Sequence, residues 1–270
     1  SVNPAVQALL DRAAREHTGP ALALVVEGLR RLVDYQDVAY AALYLDRLAA
    51  VAAGAADAPA LMQDLARHLA LWMSYEDTIR VADLKTRDTR FGRVRTEVKL
   101  QPGQLLAVQE FMHPRLQEIA DTLPAGLGRW LLASGAPRRV VDRLASKGRV
   151  VHTSSLRGFL LLWTLAGLRR WRRGTLRFQQ EQQRIEAWLA DIRQVAAADL
   201  PLAVEITRCQ RLVKGYGDTH ERGWANFQRL RSAWVGRALP AATLAELRDA
   251  ALADEHGHAL QAALQRHAIA

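Results

Sequence analysis

The stretch VKGYGDTHERG, from Val213 to Gly223, concentrates residue types that hold an anion. Lys214, His220 and Arg222 supply charge or N–H donors, and Gly215 and Gly217 permit close backbone approach to a ligand. A helix starting here adds its free N–H groups and the positive end of its dipole. The chemistry would be the binding of a phosphate or carboxylate. The same residues also fit a plain corner between two helices: Gly215 suits the left-handed cap that ends one helix, and Asp218 followed by Glu221 is a capping-box signature opening the next. The GxxxxGK[ST] pattern of a phosphate loop is missing.

A second basic group, LRRWRRG, places Arg169, Arg170, Arg172 and Arg173 around Trp171. It could grip phosphates while the tryptophan stacks on a base. On a helix, Trp163, Leu168 and Trp171 also fit one packed face with the arginines fanned into solvent, and a charge run alone favours that solvated face. An acidic protein surface is a third partner for the group.

No catalytic set emerges. Glu76 and Asp77 are adjacent and diverge by about 100° on a helix, so they do not share a substrate. The pairs Glu76/Arg80 and Asp83/Arg87 have the spacing of intrahelical ion pairs, each worth about 0.2–0.5 kcal/mol. The eight histidines contain no i, i+4 pair, and no metal site is expected. Cys209 is the single cysteine and sits in an apolar stripe, where a buried thiol is commoner than a nucleophile. It excludes an internal disulfide and a cysteine-ligated iron-sulfur cluster carried by this chain alone, and fits a reducing, cytoplasmic compartment. Neither GxSxG nor a complete GxGxxG occurs.

These residues must be positioned by helices. Across 270 residues, 50% hydrophobic and 24% charged, apolar positions recur at helical spacing. From Pro4 to about Arg87 we expect three or four helices, the last one long, with breaks at Thr18–Pro20 and Gly54–Pro59. TEVKLQPGQLLAVQEF carries a turn signal at Pro102-Gly103 flanked by Val98, Leu100, Leu105 and Val108 in weak alternation, a candidate short hairpin or pair of extended arms. Pro114 suits a first helical position, and that helix should stop before Pro124. RVVHTSS reads as extended. The helix after it, GFLLLWTLAGL, is too short for the roughly 20 residues of a membrane span and should end at Gly174. A helix near Pro201 carries Leu202, Ile206, Cys209, Leu212 and Val213 on one stripe. The fold class expected is mostly α, a helical-bundle-like single domain over residues 1–270 with at most a short β-hairpin in the middle.

Net charge is +9 and the pI about 10.4, which suits an anionic partner. Arginine supplies 33 of the 37 basic residues (37 minus the lysines at 85, 99, 147 and 214). That bias belongs to a GC-rich genome and weakens the case for nucleic acid. The chain opens on SVNPAVQALL, without methionine or a charged-then-apolar leader, and reads as the cut end of a longer polypeptide.

YQDVAYAALYLDRL, HLALWMSYEDTIRVADLKTR, PGQLLAVQEFMHPRLQEIADTLPAGLGRWLL, SLRGFLLLWTLAGLRRWRRGTLRF and RCQRLVKGYGDTHERG together resemble the C-terminal region of the β-subunit family of indolepyruvate oxidoreductase, within the 2-oxoacid:ferredoxin oxidoreductases. The resemblance spans nearly the whole chain. It implies oxidative decarboxylation of aryl 2-oxo acids to acyl-CoA, with electrons passed to ferredoxin. Thiamine diphosphate, iron-sulfur clusters and CoA serve that chemistry in the whole enzyme. This chain lacks the GDG-type diphosphate segment and the cysteine clusters, so the resemblance implies no catalytic residue and no cofactor bound by this segment. It implies instead an accessory or assembly domain, bacterial and cytoplasmic. Its partners would be a catalytic domain upstream in the same chain and the thiamine-diphosphate subunit. The alternative function is a basic helical binding module for nucleic acid or an acidic protein.

Overall fold

The computed structural model describes residues 3–55, 58–87, 109–112, 115–145, 149–152, 156–236, 239–254 and 256–269. The protein is mostly α. Its described residues form helices α1 (Pro4–Glu16), α2 (Gly19–Tyr35), α3 (Val38–Ala52), α4 (Pro59–Met73) and α5 (Thr78–Thr86), then strand β1 (Gln109–Met112). Helices α6 (Leu116–Thr122), α7 (Ala125–Ala133) and α8 (Gly135–Ala145) lead to strand β2 (Arg149–His152). Helix α9 (Leu156–Gly167) runs into a 3-10 segment, Leu168–Gly174, before α10 (Leu176–Ala196) and α11 (Leu200–Arg208). A 3-10 turn (Cys209–Leu212), α12 (Asp218–Gly236), α13 (Ala241–Ala253) and α14 (His258–Arg266) complete the order. The chain groups into two compact units, Ser1–Tyr75 with Gln182–Ala270, and Glu76–Glu181.

Local chemistry sets the helix starts. Proline stands in the first turn of α1, α2, α4 and α11, where its missing N–H costs no bond. Asp37, Asp77 and Asp199 accept N–H bonds from Tyr40 (2.8 Å), Arg80 (2.6 Å) and Leu202 (2.9 Å), the N-cap arrangement. These caps explain two corrections. The second helical run breaks at Gln36–Asp37, and the long last helix divides between Met73 and Thr78. Ser74 Oγ bonds back to the Ala70 carbonyl at 2.8 Å while Asp77 opens a new helix, so five helices replace three or four. Glu76 therefore precedes α5, and Arg80 pairs with Asp83 at 2.9 Å.

In the first unit, α2 packs on α3 and α4, and α4 on α11. Tyr40 and Tyr44 are buried and donate to the carbonyls of Met73 (3.0 Å) and Ala66 (2.9 Å). An aromatic cluster joins α4, α10 and α12: Trp72 lies 5.1 Å from Trp188 and 5.3 Å from Phe227, and Phe227 lies 5.6 Å from Trp234. The two edge-on pairs, Trp72–Phe227 and Phe227–Trp234, each add about 0.5–1.5 kcal/mol beyond burial. The expected stripe holds: Leu202, Ile206, Cys209, Leu212 and Val213 are all buried.

In the second unit, α5 packs on α9, and Leu116, Ala120 and Leu131 centre a small core with Ile119, Leu123, Leu132 and Val141 against it. The Leu176 N–H donates to the Leu123 carbonyl at 3.0 Å. Strands β1 and β2 pair antiparallel, Gln109 opposite His152 and Met112 opposite Arg149. RVVH is thus extended as expected, while the candidate hairpin at residues 98–108 and the helical position of Pro114 lie outside the described residues. Helix α6 ends at Thr122, before Pro124.

Candidate functional site

Local backbone geometry builds the corner at Val213–Gly223. The 3-10 turn closes with the Val213 N–H on the Gln210 carbonyl (2.9 Å) and the Lys214 N–H on the Leu212 carbonyl (3.1 Å). Gly215 (φ +79) and Gly217 (φ +59) then hold the left-handed conformation that costs an L side chain roughly 1–2 kcal/mol. Asp218 is the first helical residue of α12, not the cap before it; the Glu221 N–H bonds to the Gly217 carbonyl at 3.0 Å. Asp218 and Glu221 put two carboxylates in the first turn, where they complement the helix dipole. An incoming anion therefore meets side-chain cations here, with the helix end already answered.

A cleft of about 100 Å³ opens beside this corner, lined by Leu212, Lys214, Thr219, Arg222, Gly223, Asn226, Ala251, Leu252 and Asp254. Residues 219, 222, 223 and 226 follow the i, i+3, i+4, i+7 spacing of one helix face. Gly223 sets that face against the 3-10 turn: a Cβ there would collide with the Leu212 carbonyl oxygen. The far wall comes from the end of α13. Asp254 accepts N–H bonds from His256 (2.8 Å) and Ala259 (3.0 Å), and those donors, Ala259 first, hold its carboxyl below the usual carboxylate range. Two cations against one carboxylate leave the cleft with one net positive charge.

Chemically, the cleft can take a small anion. Its volume equals about three liquid-water shares, room for a phosphate- or carboxylate-sized group and well under the roughly 300–1,000 Å³ of sites that enclose a whole drug-sized ligand. Lys214 and Arg222 supply the charge, Thr219 a hydroxyl and Asn226 an amide.

The expected anion set divides. Lys214 and Arg222 line the cleft together; Gly215 and Gly217 turn the loop between them and are not among the lining residues. His220 is separated from them: it is buried, and its Nε2 lies 3.3 Å from Arg184 Nη1, while that guanidinium lies 4.1 Å over the Trp224 ring. Two residues from Arg222, His220 is turned about 200° around the helix, onto the aromatic face with Trp224 and Phe227. Thr219, Asn226 and Asp254 are cleft residues that sequence reasoning missed. The first two share Arg222's helical spacing and were legible; Asp254 comes from a distant helix end with no local signal.

The Arg169–Arg173 group is corrected more sharply. Arg172 is 1% exposed and is not a surface cation: its Nε and Nη2 reach Asp77 Oδ2 and Oδ1 at 2.8 and 3.3 Å, a two-pronged pair. Arg170 and Arg173 are exposed and Arg169 is half-buried. The packed tryptophan face is also reversed, since Trp163 is 62% and Trp171 65% exposed. Helix α9 gives way to a 3-10 segment at Leu168, and the change from about 100° to about 120° per residue turns Trp171 roughly 80° from its α-helical position.

Among the described residues no group of three or more His, Cys, Asp or Glu could hold a metal ion, and no helix is long and apolar enough to cross a membrane. Comparison with curated proteins and with solved structures finds no match. Residues 21–233, most of the chain and the greater part of the cleft, match a family of unknown function, and the protein belongs to that family, DUF6537.

Proposed function

We propose that this protein is a non-catalytic accessory domain of an indolepyruvate (aryl 2-oxo acid) ferredoxin oxidoreductase subunit, and that its basic cleft holds a phosphate-sized anion such as a phosphate of coenzyme A. The observation that carries the anion contact is the convergence of Lys214 and Arg222 on one cleft with Thr219 and Asn226. The accessory role rests on the resemblance of the chain's segments to the β-subunit family. Iron-sulfur clusters need several thiolates, and this chain offers only the fully buried Cys209. The clusters and thiamine diphosphate would therefore sit in the catalytic domain and partner subunit, in a cytoplasmic enzyme. What this chain's residues would do is bind and orient: a charge-assisted hydrogen bond to a phosphate contributes about 1.5–3 kcal/mol.

The test is the native polypeptide itself, isolated with an antibody against this segment and assayed for indolepyruvate-dependent acyl-CoA formation, then compared with the same enzyme lacking residues 1–270. Loss of assembly or turnover on deletion is the expected result; an enzyme that assembles and turns over normally would sink the accessory role.

A second function, a basic binding module, is favoured by the exposed Trp163 and Trp171 beside Arg170. Its nucleic-acid form predicts binding that falls steeply between low and moderate salt, measurable with a short DNA or RNA duplex.

A further inference from the structure

Helix α9 is apolar nearly all round, a composition that normally marks a fully buried helix. Among the described residues its burial is one-sided. Leu162 is fully buried on the side packed against α5, while Leu160, Leu161 and Trp163 stand 48%, 50% and 62% exposed. On the helical wheel Trp163, Leu160, Arg157 and Leu161 span an arc of about 160°, with exposed Arg157 inside it. Trp171 and Arg170 extend the exposed surface past the helix end. Exposed apolar groups gathered on one element mark interaction surfaces, and Trp and Arg are the residue types enriched at the centres of protein interfaces.

The charge around this arc selects the occupant. No aspartate or glutamate occurs between Asp142 and Glu181, and the buried Arg172 of that stretch is already neutralised by Asp77. The exposed charges of α9 and of the segment that follows it, Arg157, Arg170 and Arg173, are all cationic. A second copy of the chain would set arginine against arginine, so self-association on this face is opposed by like charge. A membrane would have to take Arg157 into the acyl boundary together with the leucines around it, which is costly for a charge within the apolar face. A protein can place a carboxylate opposite Arg157 and leucines around it. We infer that the outer face of α9, Arg157–Leu160–Leu161–Trp163, is a docking surface for a protein segment that carries apolar anchors and at least one carboxylate. This inference stands independently of the anion cleft and gives the binding-module function a specific address.

The experiment places a photo-crosslinking residue at position 163 of the full chain in its source cells, with position 235 as control, since Val235 is equally exposed at 62%. Crosslinked peptides are then sequenced. The expected result is one protein joined at position 163 and not at 235, through a segment bearing Asp or Glu. Arg157→Glu should lower that yield at least tenfold, and changing the mapped carboxylate to lysine should restore it. Arg157→Gln, which carries no new charge, should lower it less, and serves if the glutamate variant fails to fold. Crosslinks chiefly to lipid, nucleic acid or a second copy, a protein crosslink indifferent to Arg157→Glu, or no crosslink at all would overturn the inference.

Discussion

Replacing Asp77 by alanine would take a two-pronged carboxylate contact away from the buried Arg172, and the cost can be worked from the contacts. The guanidinium is 1% exposed and bound through two nitrogens to Asp77, at 2.8 and 3.3 Å. Breaking a buried pair from one side costs about 3–5 kcal/mol, because the remaining charge stays out of water and loses its carboxylate. Asp77 also caps α5 through the Arg80 N–H at 2.6 Å, and losing a cap costs about 1 kcal/mol. The single variant should therefore lose roughly 4–6 kcal/mol, a large part of the 5–15 kcal/mol that holds a typical domain. Removing both partners has a different effect: in Asp77→Ala/Arg172→Met the charge is gone and the methionine can fill the space, so the deficit should shrink below that of the single variant. Urea unfolding of the full chain, followed by circular dichroism, measures both variants. An Asp77→Ala protein within about 1 kcal/mol of the parent, or a double variant no more stable than the single one, would refute the buried-pair account.

Gly223→Ala should destabilise by about 1–3 kcal/mol, because the added Cβ collides with the Leu212 carbonyl; Gly126→Ala, where nothing lies within 4 Å, should not, and equal unfolding midpoints for the two would contradict the packing described. Buried His17 and His68 are held below the usual imidazole range by desolvation, so the unfolded chain takes up their protons first. Their contribution is complete above about pH 6.5 and is lost as pH falls below it, by at most about 1.4 kcal/mol per pH unit for each histidine. The depressed carboxylates Glu27, Glu246 and Asp254 act only lower, as pH falls below the unfolded carboxylate range of about 4–4.5. Stability measured by urea unfolding should therefore drop between pH 7.5 and 5.5, and a rise would reverse the sign of the argument. Burial pushes the Cys209 thiol far up, so a thiol reagent should label it only in denaturant; rapid labelling of the native chain would place the thiol at the surface.

The helical pattern was legible because it is local: apolar spacing, first-turn prolines and the buried stripe from Leu202 to Val213 all depend on neighbours within a few residues. The corner was legible for the same reason, down to the left-handed Gly215. The breaks at Gln36–Asp37 and Ser74–Asp77 were missed where an aspartate cap interrupts apolar periodicity without glycine or proline. Arg172 was misread because its burial depends on Asp77, 95 positions away, and on a 3-10 segment that shifts the phase of the tryptophans. For the cleft, helical phase alone separates Arg222 from His220 and adds Thr219 and Asn226. Asp254 enters only through the packing of α13 near α12, which no periodicity encodes.

The most direct test of the anion cleft is titration of the full chain with coenzyme A at low salt, alongside Lys214→Ala and Arg222→Ala. Both residues are exposed, so both variants should keep the parent's stability to within about 0.5 kcal/mol. Each removes one charge-assisted contact of about 1.5–3 kcal/mol, so the account predicts binding by the parent and a loss of at least about tenfold in each variant. No binding by the parent, or variants that bind as the parent does, would contradict it and leave Val213–Gly223 as a helix corner alone.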